Sequence, residues 1–252
     1  MINDLVSIIT PAYNSSEYIR EAIESVIAQT YKNWEMIIVD DASQDNTYEI
    51  LNNYANKDKR IKPIFLEKNC GAAYARNRAI ECAQGRYIAF LDSDDLWKKE
   101  KLEKQLIFMK KNKIKFSYHD YELYNIKSQS KKIISVPYRI NYTELLKGNN
   151  TGSCVTVCID RKYIKNISMP NIHQEDFVCW LNVLRENNIL GYGLNKCLGT
   201  YRIGKESTSS NKFKSAYWTW QVYRKSQKLS LPLALYYMSF YIIKGIKKYI
   251  LP

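Results

Sequence analysis

Three carboxylates crowd one short stretch of this chain. In residues 86–97, RYIAFLDSDDLW, the apolar run 87–91 ends abruptly in Asp92, Ser93, Asp94 and Asp95. Acids this close repel one another unless a cation or hydrogen-bond donors lie between them. Hard oxygen ligands of this kind suit Mg²⁺ or Mn²⁺, ions that are commonly held by one or two carboxylates plus substrate phosphates. The D-x-D spacing therefore points to a metal–diphosphate site. Taken alone it has a plainer explanation, an acidic turn capping a helix that starts near Lys98, because Asp is a common N-cap.

Other polar clusters weigh on that choice. Tyr13 and Asn14 follow the apolar run 5–10, and Asp40 and Asp41 follow the run 35–39. Each sits at the carboxyl end of a β-rich segment, where open α/β sheets bind their ligands. Two glycine-rich phosphate motifs are absent: no G-x-G-x-x-G follows the first strand, and there is no G-x-x-x-x-G-K-[ST]. A dinucleotide dehydrogenase and a P-loop NTPase are disfavoured, and phosphate would be held by metal and side chains.

The elements that must position these residues alternate. Apolar runs at 5–10, 35–39, 61–66 and 87–91 predict strands, the third weakened by Pro63 and so placed at an edge. Helical spacing follows each: Ile19, Ile23, Val26 and Ile27; Ile50, Leu51 and Tyr54; Ala75, Ala79 and Cys82, stopping at Gly85; then Leu102, Leu106 and Met109. Pro11 is expected to break the first strand, Asn14 with Glu17 to form a capping box, and Ser43 to cap the second helix. Four strand–helix repeats imply a mainly parallel α/β sheet flanked by helices. The second half is less regular, with strands expected at 116–118, 132–136, near 156–159 and at 198–203. A helix is expected over 174–187, carrying Phe177, Leu181 and Leu184 on one face, with Glu175 and Asp176 near its start.

At 252 residues the chain can bury one large domain or one domain with an appendage, and its formal charge of +13 invites a polyanion. The six cysteines include no C-x-x-C, and with two histidines a zinc site is disfavoured, so most of the thiols are read as reduced core residues. No signal peptide or membrane-spanning run is apparent, and a cytoplasmic location is expected. Nucleic-acid binding lacks any supporting motif, and the acidic rim would repel phosphates in the absence of metal.

Five ordered blocks resemble the family 2 inverting glycosyltransferases of GT-A fold: VSIITPAYN (6–14), SVIAQTYKNWEMIIVDDASQDNT (25–47), NCGAAYARNRAI (69–80), GRYIAFLDSDDLW (85–97) and QEDFVCW (174–180). The stretch YRIGKESTSSNK (201–212) and the aromatic tail resemble short bacterial members that build surface polysaccharides. The resemblance implies roles by position. Pro11, Ala12 and Tyr13 would line the nucleoside pocket with Glu17 close by. Asp41 would contact the base, uracil in most relatives, and Gly71, Arg76 and Ser93 would lie near the nucleotide. Asp92 would meet the ribose or the metal shell, Asp94 would bind the Mn²⁺ or Mg²⁺ that bridges the donor diphosphate, and Asp176 would be the general base. Such a base activates the acceptor hydroxyl for a single displacement with inversion, and the metal stabilises the leaving diphosphate.

Many relatives place a metal-binding His after the Tyr-Arg strand; here Arg202 is followed by Ile203, Gly204, Lys205, Glu206 and Ser207. Glu175, Arg202, Lys205 and Ser207 are candidates for diphosphate or acceptor contact, and His173 for acceptor contact. The implied organisation is a catalytic domain over 1–212, with a nucleotide half (1–112) and an acceptor half (113–212), and a basic, aromatic, amphipathic helical tail over 213–252. The implied activity is metal-dependent transfer of a hexose from a nucleotide-sugar, most commonly a UDP-sugar, to a polyprenyl-diphosphate-linked oligosaccharide or a surface glycan such as capsule, O-antigen or lipooligosaccharide. The alternative is a degenerate nucleotide-sugar-binding or scaffold protein, against which the joint presence of Asp41, Asp92, Asp94 and Asp176 argues. The tail has the composition of an interfacial helix on an anionic membrane surface, at the inner face of the cytoplasmic membrane; it could also pack on the catalytic domain or on a second subunit as a homodimer.

Overall fold

Seven consecutive buried residues make strand β1 (Val6–Ala12), and such a run has no water-facing side, so helices must cover both faces of the sheet it enters. The computed structural model describes residues 4–148, 151–204 and 212–250. After β1 come α1 (Ile19–Ile27), β2 (Trp34–Asp40), α2 (Thr47–Lys57), β3 (Ile61–Phe65), α3 (Ala72–Cys82) and β4 (Tyr87–Phe90). These strands lie side by side in the order β3-β2-β1-β4, all parallel, with β3 at the edge as Pro63 requires.

β1 does not break at Pro11 as the sequence suggested. The Leu91 amide donates to the Ile9 carbonyl (3.0 Å), so Ile9 faces β4, and Pro11, two residues on, faces the same side. Pairing with β4 has ended at Ile9, so the missing proline N–H removes no ladder bond, and the strand runs on to Ala12. The expected caps also differ. Asn14 has a left-handed backbone (φ 47°), and its side chain accepts from the Gln44 amide (2.8 Å), while α1 starts after Tyr18 with no side-chain cap. Ser43 bonds to Asp40 and accepts from the Asn14 amide (2.8 Å), leaving the turn before α2 to Asp45, which accepts from the Thr47 amide (3.0 Å). Polar side chains expected to cap helices instead tie the loop after β1 to the loop after β2.

Beyond β4 the sheet becomes mixed. A short β5 (Leu96–Trp97) and α4 (Lys101–Lys111) precede β6 (Phe116–Asn125), β7 (Ser130–Ile134), β8 (Arg139–Ile140), α5 (Tyr142–Leu146), β9 (Cys158–Asp160), α6 (Glu175–Glu186) and β10 (Gly191–Ile203). β9 is inserted antiparallel between β4 and β6, and β10 runs parallel to β6 and antiparallel to β5 and β8. β6 and β10 are each longer than their apolar cores predict, because partly exposed and polar residues extend them.

Helices α1, α2 and α4 cover one face; α3, α6 and the C-terminal elements cover the other. Those last elements are α7 (Lys212–Gln221), a π-helical turn (Val222–Ser226) and α8 (Leu231–Ile250). Val222, Tyr223 and Ala234 are fully buried, and the Tyr223 hydroxyl donates to the Leu146 carbonyl (2.5 Å). The tail is therefore part of the core on one side. On the other, α8 exposes Leu231, Leu233, Leu235, Tyr236, Ile242 and Ile243. No described helix is long and apolar enough to cross a membrane. All six cysteines are free thiols, and burial pushes Cys158 and Cys179 up to about 12, which keeps them unreactive.

Candidate active site

The carboxyl ends of β1, β2 and β4 open into a cavity of about 430 Å³. It is lined by Pro11, Ala12 and Tyr13 from β1, Asp41 after β2, Gly71, Ala72, Ala75 and Arg76 from the start of α3, Asn69 before it, and Asp92, Ser93 and Asp94 after β4. All the residues assigned to the nucleotide from sequence, except Glu17, line this one space. Glu17 is exposed and lies outside the lining.

Each wall has a local cause. The buried Asp41 carboxylate accepts from the Cys70 and Gly71 amides (2.7 Å each), fixing the turn that starts α3. Gly71 has φ 89°, a conformation that favours glycine. Ser15 and Ser93 share a hydrogen bond between hydroxyls (2.8 Å), joining the loop after β1 to the acidic turn. The small side chains of Ala72 and Ala75 leave the cavity its depth. Asn69, Ala72, Ala75 and Ser15 were missed as site residues by sequence reasoning. The alanine-rich helix start after Asn69-Cys70-Gly71 was a readable sign, since small residues at a helix terminus leave room for a ligand beside its amides.

The acidic residues do not share one environment. Asp92 is ion-paired to Arg76 (2.6 Å). Asp95 is wholly buried and accepts from the Arg202 amide (2.9 Å), and its burial together with the Asp94 charge raises its proton affinity well above the usual range. Asp95 thus anchors the turn to β10 and does not face the cavity. Asp94 is exposed at the rim, yet the protein packed around it and the Asp92 charge push it up to about 6. It makes no ion pair among the described residues.

Helix α6 brings Glu175 and Asp176 to this rim. Trp180, fully buried, packs edge-on against Phe90 of β4 (5.0 Å) and Phe116 of β6 (5.6 Å), one helical turn after Asp176. Phe90 lies two residues before Asp92, so this ring contact fixes the start of α6 against the acidic turn. The Glu175 carboxylate accepts from Arg76 (2.5 Å). Asp176 accepts from the Phe177 amide (2.7 Å), and burial, with the adjacent Glu175 charge, pushes it up to about 6. Gln174, before the helix, has φ 63° and is held by Thr219 of α7 (3.1 Å), while His173 stacks on Trp218 (4.1 Å).

Arg202 is buried and pairs with Glu21 of α1, away from the cavity lining. Lys205 and Ser207 lie outside the described residues. Among those described, no three His, Cys, Asp or Glu side chains gather as a ready metal site.

The profile of the family described as Glycosyl transferase family 2 matches residues 7–167. The chain is 46% identical to TuaG of Bacillus subtilis (strain 168), a glycosyltransferase ascribed to teichuronic acid biosynthesis, over 97% of each chain. It is 44% identical to WfgD of Escherichia coli, a UDP-Glc:alpha-D-GlcNAc-diphosphoundecaprenol beta-1,3-glucosyltransferase, over 97% of this chain and 95% of that one. The solved mannosyltransferase PcManGT from Pyrobaculum calidifontis, in complex with GDP-Man and Mn²⁺, superposes with a TM-score of 0.69 at 15% identity, over 91% of this chain and 66% of that one. The cavity, the acidic turn and the ordered blocks thus sit on a GT-A architecture, and the chain belongs to glycosyl transferase family 2. It is a glycosyltransferase.

Proposed function

We propose that the protein transfers glucose or a closely related hexose from a UDP-sugar to a sugar carried on a polyprenyl diphosphate, with inversion, in the assembly of a surface polysaccharide. The observation that carries this reading is the meeting of two acidic groups at one rim: Asp92 and Asp94 on the donor cavity, and Asp176 beside it on α6. The resemblance to WfgD over almost the whole chain supports the donor and acceptor classes.

In this reading Tyr13 and Asp41 hold the base between the end of β1 and the turn into α3. Asp94 is the residue fitted to a divalent cation, because it lines the cavity, pairs with no cation of the protein and carries a raised proton affinity that a metal would relieve. With no cluster of three acidic, His or Cys ligands among the described residues, an ion held by Asp94 would take its other ligands from the donor and water. The bound ion supplies charge stabilisation to the departing diphosphate. Asp176 takes the proton from the attacking acceptor hydroxyl; a carboxyl pushed up to about 6 is a stronger base than an ordinary aspartate and is still mostly ionised at neutral pH. The exposed apolar side of α8, with Arg224, Lys225 and Lys228 exposed just before it, rests on the anionic membrane that carries the acceptor.

The test has two parts. UDP with Mn²⁺ should raise the melting temperature, and EDTA should remove the shift. Release of UDP from UDP-glucose should depend on a synthetic GlcNAc-diphospho-lipid. Asp94→Ala should lose the metal-dependent shift, whereas Asp176→Asn should keep it and lose transfer by about a thousandfold or more. Near wild-type turnover in Asp176→Asn would remove Asp176 from the mechanism. No shift with any nucleoside diphosphate would favour a degenerate site.

A further inference from the structure

Arg76 bridges the two halves of the site. It lies in α3 on the cavity wall, is 7% exposed, and gives one guanidinium nitrogen to each of two carboxylates: Nη2 to Asp92 (2.6 Å) and Nη1 to Glu175 (2.5 Å). Its Nε has no hydrogen-bond partner among the described residues. A buried guanidinium is tolerated only when its charge is compensated by well-placed acids, and here each acid comes from a different element. The fork geometry matters: a planar guanidinium can hold two carboxylates in a fixed relation, whereas a lysine ammonium is a single point charge on a flexible stem.

The consequence falls on Asp176. Among the described residues, the hydrogen bond to its carboxylate comes from the adjacent Phe177 amide. Its placement is therefore set by what holds the first turn of α6. Trp180 fixes that turn from the core side. Gln174, just before the helix, is held by Thr219, and on the cavity side the contact is Glu175 to Arg76, the helix having no side-chain N-cap.

We propose that Arg76 and Glu175 form a positioning clamp that fixes the catalytic carboxylate of Asp176 relative to the acidic turn on the donor cavity. Glu175 is then an anchor rather than a second base, and Arg76 acts through both its partners as well as on the cavity it lines. This inference rests on the reading of Asp176 as the base.

The experiment measures kcat, donor KM and the UDP–Mn²⁺ thermal shift for Glu175→Ala, Glu175→Gln, Arg76→Lys and the double variant Arg76→Lys/Glu175→Ala. Glu175→Ala should lower kcat by about tenfold or more while donor KM and the UDP shift stay within about twofold of wild type. Glu175→Gln should recover most of that loss, because its amide oxygen still accepts from Arg76. Arg76→Lys should lower kcat and also raise donor KM, since one ammonium cannot hold Asp92 and Glu175 in the fixed relation of the guanidinium fork. The double variant should have a kcat within about threefold of the poorer single variant, as expected for residues acting as one unit. Wild-type kcat in Glu175→Ala, or losses that multiply in the double variant, would overturn the clamp. If Arg76→Lys fails to fold, the contrast between Glu175→Ala and Glu175→Gln decides alone. A wild-type chain that neither binds UDP with Mn²⁺ nor transfers glucose overturns the functional reading, and the clamp with it.

Discussion

At the scale of single residues, the site holds charges in environments that do not favour them. Asp176 carries a proton affinity raised from 3.8 to about 6 by burial and by Glu175. The folded protein therefore binds more protons than the unfolded chain between those values, so stability falls as pH rises through that window, and the penalty is complete above about 6. Asp176→Asn should accordingly melt a few degrees higher than wild type at neutral pH, with the difference vanishing below about 4, as calorimetry across pH would read. Transfer by the wild type should fall on the acid side as pH drops through about 6, a limb visible in a kcat/KM profile. Lys101 makes a parallel case outside the site. It is wholly buried over the Trp97 ring (3.8 Å), its Nζ has no hydrogen-bond partner among the described residues, and burial lowers it from 10.5 to about 7. The folded form binds fewer protons than the unfolded chain above about 7, so stability rises with pH up to about 10.5 and the cost is fully present below 7. Lys101→Met should raise the melting temperature at neutral pH, and its advantage should shrink as the pH approaches 10.5. An unchanged melting temperature would mean the ammonium is already compensated by the ring.

At the scale of elements, packing decides what the residue pattern could only suggest. Gly85 was read as a helix stop, yet α3 ends at Cys82 and Gly85 serves a different purpose. A Cβ there would lie 2.6 Å from the Ser7 amide nitrogen and 2.7 Å from the Leu5 carbonyl, both backbone atoms of or beside β1. Gly85→Ala should therefore cost about 3 kcal/mol or more, measured by urea unfolding, because neither neighbour is a flexible side-chain tip. The parallel half was legible in the sequence because its strands are short, apolar and separated by helical spacing: β2, β3, β4 and the helices between them fall within a few residues of expectation. The second half was less legible for a physical reason. β8, α5 and the extensions of β6 and β10 are built from residues with one wet face or from Tyr and Arg, and these leave no clean alternation. The Asn141–Glu144 capping box opening α5 was a readable signal that the sequence reading passed over. Of the candidate site, the cavity residues were legible through the ordered motifs. Contacts made across the chain, Arg76 to Glu175 and Arg202 to Glu21, were not, since no spacing announces a pair far apart in sequence.

At the scale of the whole molecule, the tail is both core and surface. α8 packs Ala234 and Tyr237 inward and turns Leu233 and Leu235 outward. Leu233→Glu with Leu235→Glu should abolish sedimentation with anionic vesicles, weakening attachment by about tenfold or more, while leaving UDP binding intact. Equal sedimentation of the variant would assign that face to another protein surface. The route of the last strand also bears on how the enzyme comes into being. β10 sits between β6 and β5, receives β8, and holds the acidic turn through Asp95 and the Arg202 amide. Chains are made from the amino end, and their local units fold first. The pairings β1–β2, β2–β3 and β1–β4 can all form before α6 or β10 has been synthesised. The strands whose carboxyl ends line the cavity can therefore pair early, but the turn at its mouth is secured only after residue 203 has emerged. During that interval the cavity of a nascent chain would lack the Glu175 partner of Arg76 and the anchor of its acidic turn. Timing is thus built into strand order, and a newly made transferase becomes competent only when its sheet is closed from the far end.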